Sequence, residues 1–193
     1  MNRRNFIYNT SLATSAALMG LKNAGPVKPA YKMGLQLFTV RKPLAEDLFG
    51  TIKQIAAIGY RDTETYGFDP AARSYYDMPA GPFRQLLSDN GLTTTSGHYD
   101  FSKYFDKDDD DLMWYTDQCI EGAKKLGQAY ITWPWLDPAF RSIENFKKLA
   151  EKLNTIGERV KRAGIGFAYH NHDFEFTEYD GQTGYDIILN ETD

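Results

Sequence analysis

The chain has 193 residues, 42% hydrophobic and 15% aromatic, which is enough apolar material for one domain with a sizeable core. Its 22 lysines and arginines stand against 26 aspartates and glutamates, and three of the bases (Arg3, Arg4, Lys22) fall in the first 24 residues, where there is no acid. The remainder carries 19 bases against 26 acids, a net charge of −7, which excludes an extended nucleic-acid footprint and favours a small, neutral or metal-bridged substrate.

The first 24 residues read as an address. Paired arginines, then Phe6 and Ile7, an uncharged small-and-apolar stretch from Ser11, and small residues at 23–25 follow the order of a secretory signal. The run Arg3-Arg4-Asn5-Phe6-Ile7 resembles the twin-arginine export motif, which predicts export of a folded protein to the periplasm. The apolar run is too short for a membrane span, and the alternative reading is a frayed amphipathic helix. Residues 25–31, GPVKPAY, then form a short linker.

From Lys32 onward one unit recurs, marked by a helix ending in glycine and a strand following it. The junction glycines are Gly59, Gly91, Gly127 and Gly164. A helix commonly stops at a left-handed residue, which glycine adopts without steric cost. Helical periodicity precedes each one: Leu44 to Ala56, a weaker run through Phe83 and Leu87, Leu112 to Leu126, and Ile143 to Val160 behind the N-cap candidate Ser142. Cys119 lies on the third of these and reads as core. Strand-like runs are predicted at Met33–Val40, Tyr60–Tyr66, Leu92–Tyr99, Gln128–Trp135 and Ile165–His170. Alternating strands and helices imply a parallel sheet with right-handed crossovers. The repeat length is that of a (β/α)8 barrel of roughly 250 residues, and the G-x-G-x-x-G turn of an open doubly wound sheet is missing. Five βα units are visible, so the sequence reads as an α/β barrel lacking its last three units.

Barrel chemistry gathers at the C-terminal ends of the strands, and polar residues stand at nearly all of them. Strand one carries Gln36 and leads to Arg41, both substrate-binding candidates. Strand two carries Glu64, either an acid/base group or a structural carboxylate paired with Arg41. Strand three ends at His98, a second acid/base candidate or else a hydrogen-bonded turn residue. Strand four delivers Trp133 and Trp135, either a platform for a sugar ring or ordinary core. Strand five ends in AYHNHDFEF, residues 168–176, where the two-residue period puts His170 and His172 on one face. Imidazoles so placed are candidate ligands for a divalent metal: they suit Mn, Zn or Co, and Mg is the remaining identity for the site. Asp173 and Glu175 either cap the next helix or bind loop amides, and Glu175 is also a substrate-binding candidate. The acidic run Asp108–Asp111 reads as a solvated loop rather than a calcium site, since it lacks the spaced ligands and central glycine.

The phrases GLQLFTVR (34–41), GYRDTETYG (59–67), SGH (96–98) and YHNHDFEF (169–176) resemble the xylose-isomerase-like superfamily of sugar phosphate isomerases and epimerases, over residues 32–193. The resemblance implies a TIM barrel with a divalent metal at its mouth, held in many members by Glu, Asp, His and Glu from strands five to eight. Here the strand-five position falls on His170, and the other three would lie beyond Asp193.

The resulting expectation is an exported sugar isomerase or epimerase that moves a proton α to a carbonyl with divalent-metal assistance, or a related lyase. Its partners would be a small sugar or sugar derivative and further copies of itself, with no nucleic acid and no membrane span. The rival is a non-catalytic periplasmic carbohydrate-binding barrel, favoured by the His170 replacement and the tryptophans.

Overall fold

Five short strands run parallel and pair in the order in which they occur: β1 (Gly34–Gln36), β2 (Asp62–Thr65), β3 (Thr93–His98), β4 (Tyr130–Trp133) and β5 (Gly166–Tyr169). They belong to a computed structural model that describes residues 31–179 and 181–193. The expected export signal and linker, apart from Tyr31, lie outside the described residues. The connections carry the helices α1 (Arg41–Glu46) and α2 (Leu48–Ile58), α3 (Ala80–Asp89), α4 (Asp109–Leu126) and α5 (Ile143–Arg162), and α6 (Gly184–Glu191) follows β5. Among the described residues, β1 pairs only with β2 and β5 only with β4. No described helix is long and apolar enough to cross a membrane.

The helix ends follow their local chemistry. The four junction glycines all have positive φ, from 68° at Gly91 to 118° at Gly59. Ser142 caps α5 by accepting the Asn145 N–H at 3.3 Å, and the face beginning at Phe146 and Leu149 is buried. Asp108 caps α4 by accepting the Asp111 N–H at 2.8 Å, so the acidic run is not all loop. Asp109–Asp111 form the first helical turn, where negative charge suits the helix dipole, and Lys124 and Lys125 occupy the last.

Three departures from the expected pattern have local causes. Strand one stops at Gln36 because its side-chain oxygen accepts the Phe38 N–H at 2.8 Å and turns Leu37–Val40 into a 3-10 helix. The first helix is two helices, since Asp47 is extended (φ −150°) and caps the second by accepting the Gly50 N–H. After β2 the chain makes an antiparallel excursion of two-residue strands, Phe68–Asp69, Ser74–Tyr75 and Met78–Pro79. Its hairpin turn places Tyr76 (φ 53°) and Asp77 (φ 61°) in left-handed conformation without glycine. The Tyr76 hydroxyl accepts the Tyr66 N–H at 3.1 Å, and its ring packs edge-on against Tyr66 and Phe83.

Beneath the strand ends lies a buried polar network. The Gln128 amide nitrogen shares its two hydrogens among Thr65 Oγ1 (2.8 Å), Thr94 Oγ1 (3.1 Å) and the Ser96 carbonyl (2.8 Å), and its oxygen accepts from the Tyr99 hydroxyl (2.6 Å). Tyr99 meets the Tyr75 hydroxyl at 2.7 Å. One side chain thus ties β2 and β3 to the segment entering β4, and each side-chain polar atom of this network finds a partner. Cys119 is fully buried, as expected.

Candidate functional site

Strand geometry places Glu64 between two hydrogen-bond donors and beside His98. The β2–β3 register slips by one residue between Thr63 and Glu64, so Thr63 pairs with Thr94 but Glu64 pairs with Ser96. A bulge of this kind re-aims side chains. Ser96 Oγ donates to Glu64 Oε1 at 2.7 Å, Gln36 Nε2 donates to Oε2 at 2.8 Å, and His98 Nε2 lies 3.1 Å from Oε2. The His98 contact is close enough for an ion pair but too poorly aligned to count as a hydrogen bond, leaving Nε2 buried without an aligned partner. Burial pushes the Glu64 carboxyl upward, but His98, Ser96 and Gln36 together outweigh it and hold the group at about 2. Arg41 takes no part: it stacks on the Phe38 ring at 4.4 Å and donates to the Phe38 carbonyl. The alternative of a Glu64–Arg41 pair is therefore replaced by Glu64 with Gln36, Ser96 and His98.

The three histidines of the chain meet here. Ring centroids of His98 and His170 are 4.9 Å apart, and those of His170 and His172 4.8 Å. Burial, then the neighbouring His98 and His172, lowers the pKa of His170. The His172 ring lies edge-on to Trp135 at 4.9 Å and stacks on Phe174 at 5.6 Å, with Nδ1 buried and unpartnered. Imidazole donors suit zinc, manganese or cobalt. Even so, among the described residues no three His, Cys, Asp or Glu side chains converge as a metal ion requires. His170 and His172, expected as metal ligands, do not by themselves make a metal centre.

A cleft of about 720 Å³ opens at these strand ends. Gln36, His98, Trp135, His170 and His172 line it, as do Phe38, Asp69 and Lys103, which the sequence reading did not single out. An aromatic two residues beyond Gln36 reads as strand core until the 3-10 turn exposes it, and Lys103 comes from a short 3-10 helix, Phe101–Tyr104, with no motif. Lys103 pairs with Asp100 at 2.9 Å.

Two expected substrate contacts are corrected by burial. Trp133 is fully buried, its ring stacked on Phe101 and its Nε1–H donated to the Trp135 carbonyl, so it is core and not a platform. Glu175 is also fully buried. It accepts from the Tyr169 hydroxyl and the His172 N–H, each at 2.7 Å, as in the reading in which it binds a loop amide. Trp135 remains 39% exposed on the cleft, with the Arg141 guanidinium 4.4 Å above its ring.

A parallel α/β sheet with helices in the crossovers and a polar cleft at the C-terminal strand ends defines part of a barrel of the TIM type. The chain belongs to the xylose isomerase-like TIM barrel family, whose sequence profile matches residues 52–189. Similar solved structures include a sugar phosphate isomerase/epimerase from Parabacteroides distasonis, with a TM-score of 0.72, 24% identity, and coverage of 88% of this chain and 64% of that one. The IOLI protein with a bound zinc atom aligns with a TM-score of 0.57 and 14% identity, over 72% of this chain and 51% of that one. A xylose isomerase-like protein from Mycobacterium smegmatis in complex with magnesium aligns with a TM-score of 0.52 and 15% identity, over 72% and 55%. The chain thus spans less than two thirds of the length of these structures. No match was found among curated proteins.

Proposed function

We propose that this chain carries the proton-transfer half of a sugar isomerase or epimerase site, acting at a carbon next to a carbonyl. The observation that supports it most is His98, which lines the cleft and has the Glu64 carboxylate 3.1 Å from its Nε2. Of the two acid/base candidates, Glu64 at about 2 is too weak a base to remove a proton at neutral pH, and its oxygens are occupied. His98 is therefore the proton carrier. Glu64 orients its ring and steadies the imidazolium formed when the proton arrives. Gln36 and Ser96 keep the carboxylate in place, and Trp135 offers an apolar face to a sugar ring. Since the described residues do not complete a metal site, no step here runs through a metal.

A second reading, a barrel that binds carbohydrate without turning it over, is favoured by the exposed Trp135 and by the lack of three converging ligands among the described residues. Solvent-hydrogen exchange distinguishes the two. Aldoses and ketoses incubated with the protein in heavy water should incorporate deuterium at the α carbon, and His98→Gln should abolish incorporation. Binding without exchange by the unaltered protein would establish the second reading instead. We also propose periplasmic export on the strength of the Arg3-Arg4 segment. A mature N-terminus near residue 25 in an expressing bacterium would support it, and an intact residue 1 would refute it.

A further inference from the structure

Glu175 is a carboxylate with no exposed surface, and its donors, the Tyr169 hydroxyl and the His172 N–H, are both uncharged. Burying a carboxylate is costly, and an apolar side chain of similar volume would normally serve packing as well or better. The two 2.7 Å bonds show what this one achieves. Tyr169 is the last residue of β5, and the His170 N–H still reaches the Trp133 carbonyl at 3.0 Å, one step beyond the strand. After that the chain leaves the sheet. The His172 backbone is then gripped by Glu175 Oε2 while Oε1 holds the end of the strand, so one carboxylate closes the arc from 169 to 172.

We infer that Glu175 is a positioning residue, which sets the arc of residues 169–172 and thereby presents the His172 ring to the cleft. The ring lands between Trp135 and Phe174 and beside His170 because its backbone is fixed at that point. Burial first, and then Glu175 itself, keeps the Tyr169 hydroxyl protonated and available as a donor. Phe174 is held in turn by the Arg141 guanidinium, 3.5 Å from its ring centre, so the ring has a firm wall to rest on. The role concerns geometry and does not depend on the reaction proposed above.

The three histidines all belong to this site, which makes their ring signals a direct report on it. Nuclear Overhauser contacts between the His172 ring and the rings of Trp135 and Phe174 should be strong in the unaltered chain. Glu175→Gln preserves the size, one acceptor for the His172 N–H and a polar partner for Tyr169. It should keep those contacts. Glu175→Leu should lose them while the β3 signals of His98 and the far-ultraviolet circular dichroism stay unchanged. A purely structural role would instead lower the melting temperature of both variants and leave the His172 contacts intact in whatever folds. If Glu175→Leu fails to fold, the decision falls to Glu175→Gln together with Tyr169→Phe. Retention in the first with weakening in the second supports the positioning role, and any other pairing overturns it, as does a folded Glu175→Leu with unchanged His172 contacts.

Discussion

Glu64 faces Ser96 because the β2–β3 ladder slips one residue after Thr63, and the 2.7 Å bond between them closes the ring of donors around the carboxylate. Folding lowers this carboxyl from an ordinary 4.5 to about 2. A group with a depressed folded pKa contributes stability that is complete above its unfolded value and is lost as pH falls toward the folded one. The melting temperature should therefore fall as pH drops from about 4.5 to about 2, and Glu64→Gln should fall less steeply across the same window. Equal slopes in circular-dichroism melts would show that the depressed carboxyl is not Glu64.

Ser96→Ala removes one of the two hydrogen-bond donors to Glu64. It should raise the acid midpoint of the Glu64 carboxyl, read by carbon-detected NMR, and slow any deuterium incorporation. An unmoved midpoint would show that Gln36 and His98 suffice.

The space beside Gly97 is already filled. A β-carbon there would come within 2.5 Å of Thr65 Oγ1 and 2.9 Å of Gln128 Nε2. Gly97→Ala should lower stability by about 1–3 kcal/mol through overpacking. Urea titration measures it, and a neutral result would mean that the Gln128 network gives way easily.

Gln128→Leu tests the same network by removal. It takes the Gln128 partner from buried Thr65 Oγ1 and leaves the Tyr99 hydroxyl with Tyr75 alone, so a loss of about 1–3 kcal/mol is expected in the same titration.

The two tryptophans should separate cleanly. Trp133→Ala empties a fully buried, stacked position and should cost about 3–5 kcal/mol. Trp135→Ala, at 39% exposure, should leave the melting temperature within a few degrees while weakening carbohydrate binding measured by calorimetry.

Much of this was legible in the sequence because it repeats or has a fixed local grammar. The junction glycines marked four helix–strand boundaries and Ser142 marked a helix start; His170 and His172 do meet, as expected, but beyond the end of β5 at Tyr169, so a strand period is not what brings them together. What escaped depends on contacts between distant segments. No periodicity signals the slip after Thr63, the fully buried state of Trp133 beside Trp135, or the inward turn of Glu175. Those follow from which side chain finds a partner once the strands are side by side. The hairpin at 74–79 was missed for a related reason, since a turn with Tyr76 and Asp77 in left-handed conformation runs against residue preference.

That hairpin also bears on how the cleft wall can change over time. A non-glycine residue in a left-handed turn costs on the order of 1 kcal/mol or more. Tyr76 accepts that strain while its hydroxyl takes the Tyr66 N–H and its ring lies against Phe83. Asp77 holds its left-handed φ at lower cost, being short and polar. Drift at position 77 toward glycine would relax the backbone and leave the tyrosine contacts alone, whereas drift at 76 would loosen Tyr66 and reshape the wall. Neighbouring positions of one tight turn are thus open to different kinds of selection, one adjusting robustness and the other adjusting which molecules the cleft admits.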